Sequence, residues 1–200
     1  MATLDKTMLA DMMKGNASIS LLACPDSGEV TLGSLDFSEA DQIFTIKDSF
    51  AISEGDPTTE NTQIDQMDEI IDSQITEGDY TMTGQVPSNA QELFDYFYEA
   101  GKAVGSEAGS VTGIKGQDGT TTYVGKSYGG KKEVYCSVLV ESQSKQTAVV
   151  FARVRCVLSR PVMENTSTPG YCTFNGYILA NLKEGEGNFA VLHKGVVAGG

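Results

Sequence analysis

The chain has 200 residues, of which 40% are apolar and 20% charged, so we expect one globular domain and exclude global disorder. Its net charge of −13 makes it a poor general binder of nucleic acid, and no apolar run reaches the roughly 18 residues of a membrane-spanning helix. The opening sequence MATLDKTMLADMMKG lacks the apolar run of a signal peptide, so we expect no secretion.

The charge is unevenly distributed along the chain. Residues 1–100 carry 20 acidic and three basic side chains, a net −17, whereas residues 101–200 carry seven acidic and 11 basic ones, a net +4. Between residues 48 and 100 there are 13 acidic side chains and no Lys or Arg. This split fits a plain solvated surface, and it also fits copies of the chain that meet head to tail.

The first half of the chain predicts an arm followed by short strands. Residues 1–16 have Leu and Met at roughly helical spacing and form the predicted N-terminal arm. From Ser18 onward, short apolar segments alternate with turn residues, as in strands. Residues 61–76 fit either a helix or a strand–turn–strand unit, whereas the alternation of Tyr80, Met82 and Val86 predicts a half-buried strand.

One segment gives a strong helix signal. Ser88 and Gln91 have the spacing of a capping box, and an apolar face follows at Leu93, Phe94 and Phe97. Gly101 is a typical helix stop. The sequence therefore predicts a helix over residues 89–100.

The second half predicts further strands. Residues 101–130 contain nine of the 22 glycines and predict a long loop or an extended hairpin. Residues 134–140 and 147–158 alternate, and KEGEG between two apolar segments, 171–182 and 188–193, predicts a hairpin. One face of 147–158 carries Val150, Ala152, Val154, Cys156 and Leu158, and the other Val149, Phe151, Arg153, Arg155 and Val157. The predicted fold is one mainly β domain over 1–200, an antiparallel β-sandwich or barrel with one flanking helix.

No motif for catalysis, a metal or a cofactor stands out. The four cysteines form no CxxC pair and are expected as buried thiols, although an even count leaves disulfide pairing open. The single histidine, His193, has no evident nucleophile partner, so we expect no enzyme, no cofactor and no metal site. Four acids would share one face if 64–75 were helical, but solvated surface is the plainer interpretation: Asp65, Asp68, Glu69 and Asp72.

Residues 44–100 resemble a known family. They run FTIKDSFAISEGDPTTENTQIDQMDEIIDSQITEGDYTMTGQVPSNAQELFDYFYEA, a strand with a DSF segment, an acidic EGDPT turn, a Gly-Asp-aromatic strand and a helix. This order, over about a third of the chain, resembles the major tail tube proteins of long-tailed bacteriophages, which are related in architecture to the inner tube of type VI secretion.

The resemblance implies a structural, non-enzymatic subunit of the virion tail that is present in the host cytoplasm before assembly. Six copies would form a ring, and stacked rings would form a conduit through which DNA passes without specific binding. The implied partners are further copies of the chain and other tail proteins, with no membrane and no small-molecule substrate. Within that architecture, Arg153 and Arg155 are candidates for inter-subunit contact. The acids Asp65, Asp68, Glu69 and Asp72 are candidates for the lumen or the stacking face.

Two other functions remain open from the sequence. A ligand-binding β-barrel would use the alternating apolar faces to enclose a small molecule and would stay monomeric. A hydrolase would need two carboxylates that point into one cleft.

Overall fold

The computed structural model describes most of the chain. The described residues are 16–46, 48–56, 58–64, 67–76, 79–88, 91–108, 111–163 and 170–195. For residues 16, 17, 58–64, 67–76, 91 and 92 the description is of the backbone alone. All of the predicted N-terminal arm except Asn16 lies outside these residues. The prediction of a mainly β, antiparallel fold with one small helix is confirmed.

The described residues form fourteen strands and one α-helix. The strands are β1 (Asn16–Ala23), β2 (Asp41–Ile43), β3 (Ala51–Glu54), β4 (Thr58–Ile64), β5 (Met67–Thr76), β6 (Tyr80–Pro87), β7 (Tyr98–Val104), β8 (Ile114–Lys115), β9 (Thr122–Tyr123), β10 (Gly125–Lys131), β11 (Val134–Ser142), β12 (Thr147–Leu158), β13 (Tyr171–Leu179) and β14 (Phe189–His193). The helix, α1, spans Gln91–Phe97.

The main sheet has eight strands and curls back on itself. Its order is β2-β1-β11-β12-β13-β6-β3, and β14 pairs with β12 beside this path. The edge strand β2 ends at Ile43, and only three residues later the N–H of Ile46 donates to the carbonyl of Gln85 in β6, at 2.7 Å. Three residues span at most about 11 Å, so the two sides of the sheet lie close together. The sheet is therefore barrel-like, and residues 44–50 join its edges.

Among the described residues, an apolar core fills the space inside the curled sheet. Alternate residues of β1, β6, β11, β12 and β13 point into it, and the helix adds Phe94 and Phe97. The ring of Phe97 meets that of Phe174 edge-on, with centroids 6.1 Å apart. Aromatic pairs in this geometry add to the free energy of burying both rings.

The predicted alternation of β12 is interrupted by a bulge. Cys136 pairs with Val154 and Val138 pairs with Phe151, so three residues of β11 (136–138) span four residues of β12 (151–154). Phe151 therefore joins the core with Val154, Cys156 and Leu158, although the sequence put it on the opposite face. A bulge changes which side chains of a strand point inward, and the alternation of residues in the sequence does not show where this happens.

The predicted KEGEG hairpin is wrong. The segments on either side, β13 and β14, both pair with β12 and not with each other. β12 is 12 residues long, which is enough to accommodate β13 along Arg153–Leu158 and β14 along Thr147–Phe151. The residues between them leave the sheet and return to the same side of β12.

The helix is shorter than the sequence predicts. It ends at Phe97, and Tyr98–Val104 continues as β7, paired with β10. Gly101 is not a helix stop but a point of close approach, where a β-carbon would lie 3.0 Å from the backbone oxygen of Ser127. Residues 98–100, which helical propensity predicts as the last turn of the helix, therefore form a strand because they pair with β10. Residues 89 and 90, inside the predicted capping box, lie outside the described residues.

Two hairpins stand apart from the main sheet. β4 and β5 pair antiparallel, so residues 61–64 and 67–76 are strand and not helix, as the strand–turn–strand alternative expects. β7 and β10 form the second, with β8 and β9 paired further along it. In the glycine-rich segment, residues 101–104 lie in β7 and 125–130 in β10, which is a hairpin and not an unstructured loop.

Replacing Phe97 by Ala should strongly destabilise the fold. Phe97 is 1% exposed, and removal of a buried Phe costs about 3–5 kcal/mol. The control is Phe44→Ala, because Phe44 is 68% exposed and should change stability by less than about 0.5 kcal/mol. The measurement is urea unfolding followed by circular dichroism. Equal midpoints for the two variants would contradict the packing of the helix described above.

Candidate interaction surfaces

The two arginines proposed for inter-subunit contact lie in β12 and stack on tyrosines of the same chain. The guanidinium of Arg153 lies over the ring of Tyr135, 5.2 Å from its centroid, and that of Arg155 lies over Tyr177 at 5.1 Å. Tyr135, Arg155 and Tyr177 are direct cross-strand neighbours on β11, β12 and β13. Each cation is thus held by an aromatic face, which is a favourable contact within the chain itself.

The two arginines differ in their exposure. Arg155 is exposed, whereas Arg153 is half-buried and its Nε is buried without a hydrogen-bond partner among the described residues. The covering layer includes Gly28, where a β-carbon would lie 3.1 Å from that Nε and 3.0 Å from Leu182. Gly28 also has φ +70°, in the left-handed region that favours glycine. Of the pair, Arg155 is the one that another molecule can reach.

The layer over Arg153 is held in place by Asn181. Its side-chain oxygen accepts the N–H of Val30 at 3.0 Å, and its Nδ2 donates to the carbonyl of Val30 at 2.8 Å. Its backbone N–H donates to Asn188, and the N–H of Leu182 donates to the carbonyl of Gly28. The loop between β13 and β14 is thereby fastened to the segment after β1.

Charge reversal should lower the stability of the fold more at Arg153 than at Arg155. Arg153→Glu replaces a cation packed between Tyr135 and the covering layer by a carboxylate and should lower stability by about 1–3 kcal/mol. The matched variant Arg155→Glu loses only an exposed stacking contact, about 0.5–1 kcal/mol. Thermal and urea unfolding of both variants measure the difference. If Arg155→Glu is the more damaging, the assignment of Arg153 as the more covered of the two arginines is wrong.

Three of the four proposed acidic residues lie in the β4–β5 hairpin. Asp68, Glu69 and Asp72 belong to β5, so the shared helix face considered from the sequence is not formed. Asp65 lies outside the described residues. The backbone therefore places three of the four acids on one strand of a hairpin that pairs with nothing else in the described part of the chain.

Strand β14 presents an open edge. Its sequence FAVLH has no Pro and no Asp, Glu, Lys or Arg. All five residues of β14 pair with β12, and Lys194 continues the same ladder by donating to the carbonyl of Gln146. On the opposite edge no strand pairs with β14 among the described residues. Phe189, Val191 and Leu192 are all exposed, and Val191 is exposed by 67%.

The far end of the β7–β10 hairpin is also apolar. Ile114 and Tyr123 form a cross-strand pair in β8 and β9 and are 62% and 60% exposed. The exposed Val111 lies nearby in sequence. Exposed apolar side chains grouped on a projecting element are typical of a contact surface.

The turn of this hairpin is organised by Asp118. One carboxylate oxygen accepts the N–H groups of Thr120 and Thr121 at 3.1 and 2.9 Å, and the other accepts the Thr121 hydroxyl at 2.5 Å. These hydrogen bonds stabilise the ionised form and hold the pKa of Asp118 at about 2.

Acid should therefore loosen this turn. Because the pKa of Asp118 is depressed, its contribution is complete above the ordinary aspartate pKa near 4 and is lost as the pH falls through about 2. The measurement is a carboxyl-carbon NMR titration. In Thr121→Val the hydroxyl donor is gone, so the pKa should rise toward its ordinary value. A wild-type titration near 4 would rule out the hydrogen bonds described here.

The remaining chemical groups are dispersed or buried. His193 is exposed at the end of β14, opposite Thr147. All four cysteines are free thiols, and the hydrogen bond with Cys136 together with burial raises the pKa of Cys156. Within the described ranges no three His, Cys, Asp or Glu side chains are placed to hold a metal ion. Nor does any helix there have the length and apolar content to cross a membrane.

Comparisons with known proteins give no family. No family model matches the chain, and no curated protein matches it significantly.

Proposed function

We propose that this protein is a structural subunit that assembles with copies of itself into the stacked rings of a tail tube, in a phage or phage-like particle. The observation that carries the self-assembly is the open edge of β14, an uncharged strand with three exposed apolar side chains. The tail tube itself is proposed from the resemblance of residues 44–100.

An open edge of this composition favours strand addition. The carbonyl of Asn188 and the N–H of Lys194 bond to β12 and to the residue directly before it. By the alternation of antiparallel strands, the backbone groups of Phe189, Val191 and His193 therefore point away from β12 and offer a row of donors and acceptors. Monomeric proteins usually protect such an edge with charges, proline or a covering segment. A strand from another copy would satisfy the row and cover the apolar side chains. Under this proposal a different element of the next copy fills the edge, so the contact is heterologous, and a heterologous contact forms a ring when the rotation between copies closes.

The two hairpins and the charge distribution fit stacking of such rings. The β7–β10 hairpin carries the exposed pair Ile114 and Tyr123 at its far end, where it could reach a neighbouring copy. The −17 and +4 halves of the chain would let unlike ring faces attract each other. Arg155 belongs to the positive half and is exposed.

The net charge also suits a conduit for DNA. Duplex DNA carries about one negative charge per 1.7 Å, so an acidic lumen would repel it and prevent binding. Under this proposal the acids of β5, Asp68, Glu69 and Asp72, line the lumen or the stacking face, as does Asp65. The protein would be a component of the virion tail, made in the host cytoplasm, with other tail proteins as further partners and no enzymatic role.

Introducing a charge into the open edge should reduce assembly. Val191→Lys places a cation beside the unpaired backbone groups, a device that natural edge strands use against pairing. We expect wild-type protein to form rings or tubes on concentration and Val191→Lys to need at least about tenfold more protein, a change of about 1.4 kcal/mol. The control is Met163→Lys, since Met163 is 82% exposed and lies outside β14. Sedimentation velocity and negative-stain microscopy measure the outcome.

Ionic strength should affect the contacts between stacked rings but not the contacts through β14 within a ring. Charge attraction between rings is screened over about 8 Å at physiological salt and about 3 Å at 1 M. Stacking should therefore weaken with salt, and further in Arg155→Glu, while ring closure through β14 should not. A wild-type protein that stays monomeric at high concentration under all salt conditions would refute the proposed function.

A further inference from the structure

A cavity lies at the base of the long hairpin, between the helix, β10 and the residues that follow β12. Its volume is about 320 Å³, within the range of small-molecule sites. The lining residues are Phe94, Tyr98, Tyr128, Gly129, Arg160 and Pro161.

Three aromatic rings make the apolar wall of this cavity. Phe94 lies 5.8 Å from Tyr98 and 5.4 Å from Tyr128 between ring centroids, and the two tyrosines are 6.4 Å apart. Phe94 and Tyr98 are fixed by burial, and the Tyr98 hydroxyl donates to the carbonyl of Leu158 at 2.8 Å. Two of the three rings are thus held in place by the surrounding chain, and an aromatic wall favours flat, unsaturated ligands.

One cation stands at the edge of the aromatic wall. Arg160 is exposed, and in the part of the chain that the structure describes no carboxylate forms an ion pair with it. Three other charged residues near the wall are engaged with each other: Asp95 is bound to Lys126 at 2.7 Å, and Lys132 donates to the Asp95 backbone carbonyl. A guanidinium in this position is suited to bind a carboxylate or sulfonate through two parallel hydrogen bonds.

We propose that this cavity is a binding site for a small planar aromatic anion, with its rings against Phe94, Tyr98 and Tyr128 and its acid group on Arg160. The site is separate from the β14 edge and goes beyond the proposed assembly function. It also differs from a ligand enclosed by the sheet, because the space inside the sheet is filled by the core.

The carboxylate of Glu99 lies close to the cavity and allows a test in which two variants should change the affinity in opposite directions. A β-carbon placed on Gly129 or Gly130 would lie 3.4 Å from Oε2 of Glu99. Glu99 would repel an anion bound beside Gly129, whereas Arg160 would attract it. Removing each charge should therefore change the affinity in opposite directions.

The experiment uses 2-naphthoate as the probe and follows binding by calorimetry and by amide shifts in two-dimensional NMR. We expect shifts at Gly129 and Tyr128 but not at Gly185, which lies in an open turn between β13 and β14. Arg160→Gln should weaken binding about tenfold, Glu99→Gln should strengthen it two- to threefold, and the control Arg155→Gln should leave it unchanged. The neutral analogue 2-naphthylmethanol should bind about tenfold more weakly than 2-naphthoate.

Three results would overturn the site. One is no binding of 2-naphthoate at about 1 mM, the weak end of useful affinity. Another is binding that shifts amides across the molecule equally. The third is an affinity that is the same for the neutral analogue and unaffected by Arg160→Gln. None of these results depends on whether the protein forms rings, so the site and the assembly can fail separately.

Discussion

The main sheet depends on the length of one strand. β12 has 12 residues, pairs with β11 along one side, and along the other accommodates β13 and then β14. Its inward residues Phe151, Val154, Cys156 and Leu158 also contribute to the core. A shorter strand would leave β14 without a partner, and the apolar edge that we propose for assembly would not exist. The bulge opposite Cys136 and Val138 changes which side chains of β12 point inward part-way along the strand. Both halves of β12 can therefore contribute to the core while pairing with strands on either side.

The curled shape of the sheet depends on a second, smaller set of contacts. Ser49 accepts the N–H of Gln85 through its hydroxyl, and Ile46 donates its own N–H to the carbonyl of the same residue. These bonds tie the connection between β2 and β3 to β6, on the opposite side of the sheet from β2. The DSF segment at 48–50 therefore serves as a turn that closes the sheet, and not as a part of a strand.

Alternation and composition were enough to predict the fold class, because half-buried antiparallel strands carry their period in the sequence. They could not predict how β13 and β14 pair. A hairpin signal in the sequence describes only the local turn, whereas both strands pair with β12, which lies earlier in the chain. The same holds for Tyr98–Val104, where pairing with β10 overrides the helical propensity of the last predicted turn. Of the candidate residues, the alternation in the sequence correctly predicts that Arg153 and Arg155 share one face of β12. Only the structure shows that the guanidinium of Arg153 is covered and that of Arg155 is exposed. Arg160 and its aromatic neighbours come from three separate segments of the chain, and no spacing rule joins them.

The pairing of β1 with β11 sets the order in which this molecule can form. Ser18 and Glu141, which are hydrogen-bonded across the two strands at 2.6 Å, lie 123 residues apart in the chain. At translation rates of about 5–20 residues per second, β1 waits on the order of ten seconds for its partner to leave the ribosome. The apolar residues of β1, Ile19 and Leu21 among them, are without their native cover during that interval. Folding of the nascent chain is thus a late event, and chaperones that shield short apolar segments have most to contribute before the second half has been made.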